Sequence, residues 1–338
     1  MKRRAVIERA IGETRAAVYE GRRLVELHVD RASNAAAPKV GEVWTGRVVA
    51  VDPSVAGAFV TLGEGPDALL PFRAQKDLPR LGEGMLIDLR VAKEAVAEKG
   101  PVLRYHGAAT ADAPGAVDRL DLSQRLERRF PGITFEDASV GVIDNAVERT
   151  VALPGGGSIT IDRTQALIAI DVDKGGASST FECAQKAATL AMAQLRLRGL
   201  GGLVVIDFPN LRQPKQRSAV IRILEEMGET DPASVRVAPF SRFGVVELTR
   251  GTDGPSLDAK LTDRFGEPTP ETLALSLLRR LEREGRASGG AKLSATADAP
   301  TWNGLQALPF DWRAELAARI GARFAVEPGE TTEVSADR

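Results

Sequence analysis

Ala166-Leu167-Ile168-Ala169-Ile170-Asp171 and Leu203-Val204-Val205-Ile206-Asp207 are two unbroken apolar runs, each closed by an aspartate. Runs of this length without alternation suit parallel strands buried on both faces. Between them, Ser179-Thr180-Phe181-Glu182 has the form of a capping box, which predicts a helix from about Thr180. Phe181, Ala184, Ala188 and Leu195 recur at roughly helical spacing, and Gly199 with Gly201-Gly202 supplies the stop. A strand, a right-handed crossover helix and a parallel strand bring both carboxyl ends to one sheet edge, where open α/β sheets bind ligands. If the strands are neighbours, Asp171 and Asp207 sit close enough to share Mg²⁺, which usually takes only one or two protein carboxylates and keeps several waters. On the residues alone, an aspartate closing an apolar strand is more often a turn or cap residue than a ligand.

The chain has 338 residues, 43% hydrophobic and 27% charged, enough for two or three domains of ordinary globular composition. A formal net charge of −1 gives no global pull toward nucleic acid, so any such binding rests on local basic patches. One cysteine, Cys183, excludes an intramolecular disulfide framework and a Cys-rich zinc site; inside the expected helix it reads as a small buried apolar residue. Met1-Lys2-Arg3-Arg4 is followed by Ala5-Val6-Ile7-Glu8-Arg9, which interrupts any signal-peptide core, and no run of about 18 apolar residues occurs. The expectation is a cytoplasmic protein with no membrane partner.

Outside the strand–helix–strand unit the texture changes several times. Residues 4–30 alternate like a β-hairpin turning at Glu20-Gly21. Val43–Val51, Ala56–Leu62, Ala68–Leu70, Met85–Val91 and Pro101–Tyr105 are closely spaced short strands, which suggests an OB-fold barrel. Ala108 to Gly115 reads as a linker, 118–130 as a charged helix, and Val147–Ile161 as a hairpin turning at Pro154-Gly155-Gly156-Gly157. Beyond Asp207 the pattern predicts a helix over Pro214–Met227, two strands within Ser234–Arg250 meeting at Ser241-Arg242-Phe243-Gly244, and a Pro/Gly connector from Gly251 to Pro270. A helix over Glu271–Gly285, a small α/β piece and a mobile polar tail from Glu327 complete the expectation.

Leu153 to Asp162, Ala166 to Val172, Gln194 to Phe208 and Ser241-Arg242-Phe243-Gly244 together resemble the ribonuclease E/G family of bacterial endoribonucleases, in that family's order and spacing. Weaker similarity covers Gly46-Arg47-Val48, Ala58-Phe59-Val60 and Thr272–Leu278. The resemblance implies an α/β and α+β multidomain chain. Residues 1–38 and 108–145 would form a reduced RNase H-like scaffold, 39–107 an OB-fold RNA-binding barrel, and 146–252 a deoxyribonuclease I-like catalytic domain. Residues 253–270 would be a linker and 271–330 a small C-terminal domain.

It further implies Mg²⁺-dependent hydrolysis of single-stranded RNA in RNA processing or decay, with Mn²⁺ as an alternative metal, and products bearing 5′-phosphate and 3′-hydroxyl ends. Asp171 and Asp207 match the catalytic metal ligands. Asp173 stands where the family commonly has Asn, as an additional carboxylate that either joins the metal or points to solvent. Phe59 matches an RNA-stacking aromatic, although its apolar neighbours alone favour a core position; Leu69 stands where a second aromatic is usual. Lys93, Lys99 and Arg242 are candidate phosphate contacts, whereas Arg196 and Arg198 read as helix-end charges. The segment that senses an RNA 5′ end and the Cys-x-x-Cys zinc link are missing, so neither zinc nor a zinc-linked tetramer is expected; a homodimer remains compatible. The same losses motivate the alternative of a catalytically weak or inactive RNA-binding member.

Overall fold

The computed structural model describes residues 2–73, 75 and 77–337. Strands Arg3–Ala10, Glu13–Glu20 and Arg23–Arg31 form an antiparallel meander, one strand more than the expected hairpin, and Thr134–Asp137 adds in parallel to its first strand. Helix Leu122–Arg129 covers one face through Leu122 and Leu126, against Ile7, Val18 and Val25. The other face packs Val6, Leu27 and Val29 on Ile143, Leu257 and Leu261. Leu257 and Leu261 belong to a short helix, Leu257–Leu261, inside the stretch expected to be a plain connector.

Strands Val43–Asp52, Gly57–Thr61, Ala68–Pro71, Val102–Ala108 and Leu86–Lys93 close into a five-stranded barrel, because the first pairs with both the second and the last. Its interior is aliphatic: Val48, Ala58, Val60, Leu70, Ile87, Leu89 and Leu103 are buried. A strand at Gly115–Asp118 adds to Val43–Thr45, so the barrel's sheet continues past the expected linker.

A six-stranded mixed sheet follows in the order Thr150–Ala152, Ser158–Arg163, Ile168–Asp173, Gly202–Asp207, Val245–Arg250, Val235–Val237. Helix Thr180–Leu197 makes the crossover between its two parallel strands. Ser179 caps the helix by accepting from the Glu182 N–H at 3.2 Å, whereas the Glu182 carboxylate pairs with Lys186 at 2.7 Å and so leaves the capping box half made. Cys183, Ala184, Ala187, Ala188 and Ala191 face the sheet, and these small side chains let the helix lie close on it beside helix Pro214–Glu229. Ile168, Ile170, Val172, Val204 and Ile206 are buried beneath the helices, but the intervening positions are open, with Leu203 41% exposed. The expectation of strands buried on both faces is therefore corrected: helices cover one face only.

Helices Pro270–Ala287, Ala299–Ala307 and Trp312–Ile320 pack on a three-stranded sheet of Phe324–Pro328, Lys292–Ala297 and Glu333–Asp337. The segment from Glu327, expected to be a mobile tail, instead pairs with the strand Lys292–Ala297 along most of its length, because Val326, Val334 and Ala336 cover the Leu293 and Ala295 core. No helix among the described residues is long and apolar enough to cross a membrane.

Candidate active site

The two parallel strands pair as Ile168 with Val204, Ile170 with Ile206 and Asp171 with Asp207. Alternation places Ile170, Val172 and Ile206 under the helices, so Asp171, Asp173 and Asp207 project from the open face. Neighbouring strands lie about 4.8 Å apart, which stands the Asp171 and Asp207 carboxylates side by side. They belong to one row across the sheet, Thr150–Thr160–Asp171–Asp207–Val245, in direct register. Within it the Thr150 and Thr160 hydroxyls lie 3.2 Å apart. Two residues away on the same face, Asp162 is matched by Arg149 at 2.5 and 2.9 Å. Asp171 and Asp207 have no such partner among the described residues. Two like charges set side by side repel, and a shared cation removes the conflict.

Asp173 stands two residues further along, and its Oδ1 accepts from the Gly175 N–H at 2.9 Å, opening the turn that leads to the crossover helix. No cluster of three or more His, Cys, Asp or Glu side chains able to hold a metal ion occurs among the described residues. A paired-carboxylate site still fits Mg²⁺, whose remaining positions are filled by water or phosphate oxygens.

The chain folds four segments around this edge. The turn Pro154–Gly157 closes the outer hairpin, with the Leu153 N–H donating to the Gly157 carbonyl at 2.9 Å. A Cβ on Gly157, whose φ is +90°, would sit 2.6 Å from the Asp173 carbonyl oxygen, so the turn backs directly onto the loop after the carboxylate strand. Helices Thr180–Leu197 and Pro214–Glu229 both start here, presenting the positive ends of their dipoles. The fourth segment is the turn Ser241–Gly244. The Ser241 N–H donates to the Val245 carbonyl at 2.9 Å, the Gly244 N–H donates to the Ser241 carbonyl at 3.1 Å, and Gly244 takes a left-handed φ of +91°. Because Val245 is the register partner of Asp207, this turn stands beside the carboxylate pair.

At its tip the Arg242 guanidinium lies 4.7 Å from the centre of the Phe243 ring, which is 78% exposed. Phe243 is a candidate base platform beside Arg242, the residue of this turn that the sequence singles out. The exposure of Phe243 follows from the lack of packing neighbours at the tip of the turn, which the flanking residue types do not encode.

The barrel residues form a second group. Phe59 lies between inward-facing Ala58 and Val60 and so points outward, half-buried, rather than into the core. It pairs with Leu69, Leu69 with Val102, and Val102 with Lys93, giving one row on the barrel. Lys99 is exposed in the adjoining turn, where it exchanges backbone hydrogen bonds with Val96 at 3.0 and 3.1 Å. This group is not brought to the carboxylates. The Glu94 N–H donates to the Asp253 carbonyl at 2.7 Å, just past Arg250, which docks the barrel at the opposite edge of the sheet. Arg196 and Arg198 are more than helix-end charges: both are buried, Arg196 pairing with Glu20 at 2.8 Å and Arg198 donating to the Glu148 carbonyl at 2.8 Å.

Residues 106–252, which carry the carboxylate pair and the Ser241–Gly244 turn, match the model of the ribonuclease E/G family. Over that segment the chain is similar to the ribonuclease E/G family. It is 35% identical over 172 residues to ribonuclease E of Escherichia coli strain K12, covering 47% of this chain and 16% of that relative. Ribonuclease E of Haemophilus influenzae is 36% identical over 191 residues, covering 51% and 19%. Ribonuclease G of Escherichia coli K12 is 29% identical over 199 residues, covering 55% and 41%. The chain thus spans less than half the length of each of these relatives. The family match ends at residue 252, short of the three-helix unit, and takes in only the last part of the barrel.

Proposed function

We propose that this chain is a Mg²⁺-dependent endoribonuclease that hydrolyses single-stranded RNA in cytoplasmic RNA processing or decay, with Asp171 and Asp207 as the metal-holding pair. The observation that carries this reading is their direct register on adjacent parallel strands, on an open face, within the family-matched segment. Residues 146–252 would act as the catalytic unit, of deoxyribonuclease I-like kind, on a scaffold of 1–38 and 108–145. Residues 39–107 would be the RNA-binding barrel, 253–270 the linker and 271–330 the small C-terminal domain, with homodimers as the assembly to test. The names ribonuclease E and ribonuclease G of the relatives support the reaction class.

Mg²⁺ held there would polarise a phosphoryl oxygen and activate water for in-line attack. The protein's own part is placement. Asp171 and Asp207 concentrate negative charge at one point of the sheet, Phe243 offers an exposed ring to a base, and Arg242 sets a cation against the neighbouring phosphate. Water adds to phosphorus, the bond from phosphorus to the 3′ oxygen breaks, and that oxygen leaves with a proton, giving 5′-phosphate and 3′-hydroxyl ends. Asp173, engaged in its turn, adds negative charge on the same face. On the barrel, Phe59 with Lys93 and Lys99 would hold the strand away from the cut.

The test is end-labelled single-stranded RNA incubated with the full chain in Mg²⁺, in Mn²⁺ and in EDTA. Metal-dependent cutting that leaves 5′-phosphate ends is the expected result. Tight binding with no cutting in either metal would instead assign the chain to RNA binding alone, the reading favoured by Leu69 in place of a second aromatic beside Phe59.

A further inference from the structure

The tripeptide Arg-Phe-Gly occurs twice, at 242–244 and 264–266, and the chain folds both copies into the same turn. At the second, the Gly266 N–H donates to the Asp263 carbonyl at 3.2 Å, matching the 3.1 Å bond from Gly244 to Ser241. The Phe265 N–H donates to the Asp263 side chain at 2.8 Å, as the Phe243 N–H does to the Ser241 hydroxyl at 3.2 Å. Gly266 has φ +89° and Gly244 +91°. The Arg264 guanidinium lies 4.6 Å from the Phe265 ring centre, and the ring is 73% exposed. Phe243 and Phe265 are by a wide margin the most exposed large hydrophobic side chains among the described residues. An exposed phenyl ring forfeits its burial energy, and nothing in the local packing explains why two of them are held up by identical turns.

Position adds the second argument. Arg163, at the far end of the strand Ser158–Arg163, donates to the Asp263 carbonyl at 3.4 Å. The second turn therefore lies at the sheet edge opposite the carboxylates, the edge at which Glu94 of the barrel meets Asp253. Thr160, in the Asp171 row, is three residues from Arg163, or about 10 Å of strand. Arg163 alternates with Asp162 and so projects on the helix side of its strand, which holds the Phe265 turn beyond the barrel end of the sheet, where an RNA strand passing from Asp171 and Asp207 toward the barrel row of Phe59 and Lys93 leaves the sheet.

We infer that the Arg264-Phe265 turn is a second single-stranded RNA contact, in which Phe265 stacks on a base and Arg264 neutralises a neighbouring phosphate, several nucleotides from the bond that is cut. The inference rests on RNA being the substrate of the carboxylate site. It predicts length dependence: RNA long enough to span from the carboxylates to Phe265 gains from the contact, and RNA confined to the carboxylate edge does not.

The test measures binding of the full chain, in EDTA, to two fluorescein-labelled unstructured RNAs of about 3 and about 15 nucleotides, sizes that bracket a single-strand binding site. Phe265→Ala should weaken the longer RNA about 5- to 100-fold, the range for loss of one base stack, and leave the shorter one unchanged. Phe265→Trp should restore the long-RNA affinity, and its exposed indole emission should fall on RNA addition. Thermal melting of both variants should coincide with wild type, because the ring is not packed. Equal long-RNA affinity for Phe265→Ala and wild type overturns the inference while leaving the nuclease reading intact, as does an unchanged RNA affinity accompanied by a loss of self-association. Absence of RNA binding by the wild-type chain would overturn the nuclease reading as well.

Discussion

At the scale of single residues, the site depends on groups whose roles are set by what surrounds them. Asp171, Asp173 and Asp207 share a face, yet Asp173 is drawn into a turn by the Gly175 N–H and Asp162 is neutralised by Arg149, which leaves a pair. Gly157 is the backbone counterpart of that selectivity. Its φ of +90° and the 2.6 and 2.9 Å approaches a Cβ would make to the Asp173 and Lys174 carbonyl oxygens admit no side chain. Gly157→Ala should cost about 2 kcal/mol or more in urea unfolding and slow any cleavage by shifting the loop after Asp173. Gly155→Ala, which meets only the flexible tip of Lys186, should cost less. A Gly157→Ala variant as stable as wild type would remove the claim that this turn braces the carboxylate strand. The side-by-side placement of the two carboxylates was legible in the sequence because each aspartate closes an apolar run and one capped helix lies between the runs. Phe243 was not, because exposure of a single aromatic in a turn depends on the absence of neighbours, which no local pattern encodes.

At the scale of elements, the strands and helices with strong periodicity or caps emerge where the residues indicate them. The crossover helix begins at Thr180 behind its Ser179 cap, and the barrel strands follow the alternation of Val, Ala and Leu. Weak local signals misled. The strand Glu333–Asp337 is polar along its outer side, so it reads as tail, and its pairing with Lys292–Ala297 is decided by partners about 40 residues away. The open face of the mixed sheet was hidden for a related reason. Ala169, Leu203 and Val205 continue the apolar runs on the uncovered side, so periodicity alone could not tell one buried face from two. That open face is what leaves Asp171 and Asp207 exposed.

At the scale of the whole molecule, buried charge ties the units together. Glu13 meets Arg15, Arg31 and Arg279 at 2.5, 2.8 and 2.7 Å, joining the N-terminal sheet to the helix Pro270–Ala287. Glu26 meets His28 at 3.1 Å, Arg129 at 3.2 Å and Arg196 at 3.5 Å, joining the same sheet to the crossover helix. Burial pushes the Glu26 carboxyl up, but the His28 hydrogen bond and charge and the charges of Arg129 and Arg196 outweigh it and hold the pKa at about 2. A carboxyl whose folded pKa lies below its unfolded value adds stability above the unfolded pKa, near 4.5, and loses it as pH falls toward 2. That contribution is on the order of 3 kcal/mol. Urea midpoints should therefore hold between pH 7 and 5 and drop through pH 4 to 3, with a shallower drop in Glu26→Gln. Parallel profiles for the two proteins would show that Glu26 is not responsible. The contacts of Glu13 with Arg279 and of Glu26 with Arg129 and Arg196 bridge more than 100 residues of chain and leave no local trace in the sequence, which is why Arg196 reads there as a helix-end charge.

If Asp171 and Asp207 act as one unit in cutting RNA, a double-mutant cycle on the cleavage rate reads it out. Asp171→Asn, Asp207→Asn and the double variant should each lose about a thousandfold or more, with the double no worse than the singles, because groups that serve one function are not additive. RNA affinity in EDTA should stay near wild type in all three. Cleavage by either single variant within a few fold of wild type, or losses that multiply in the double variant, would contradict the account.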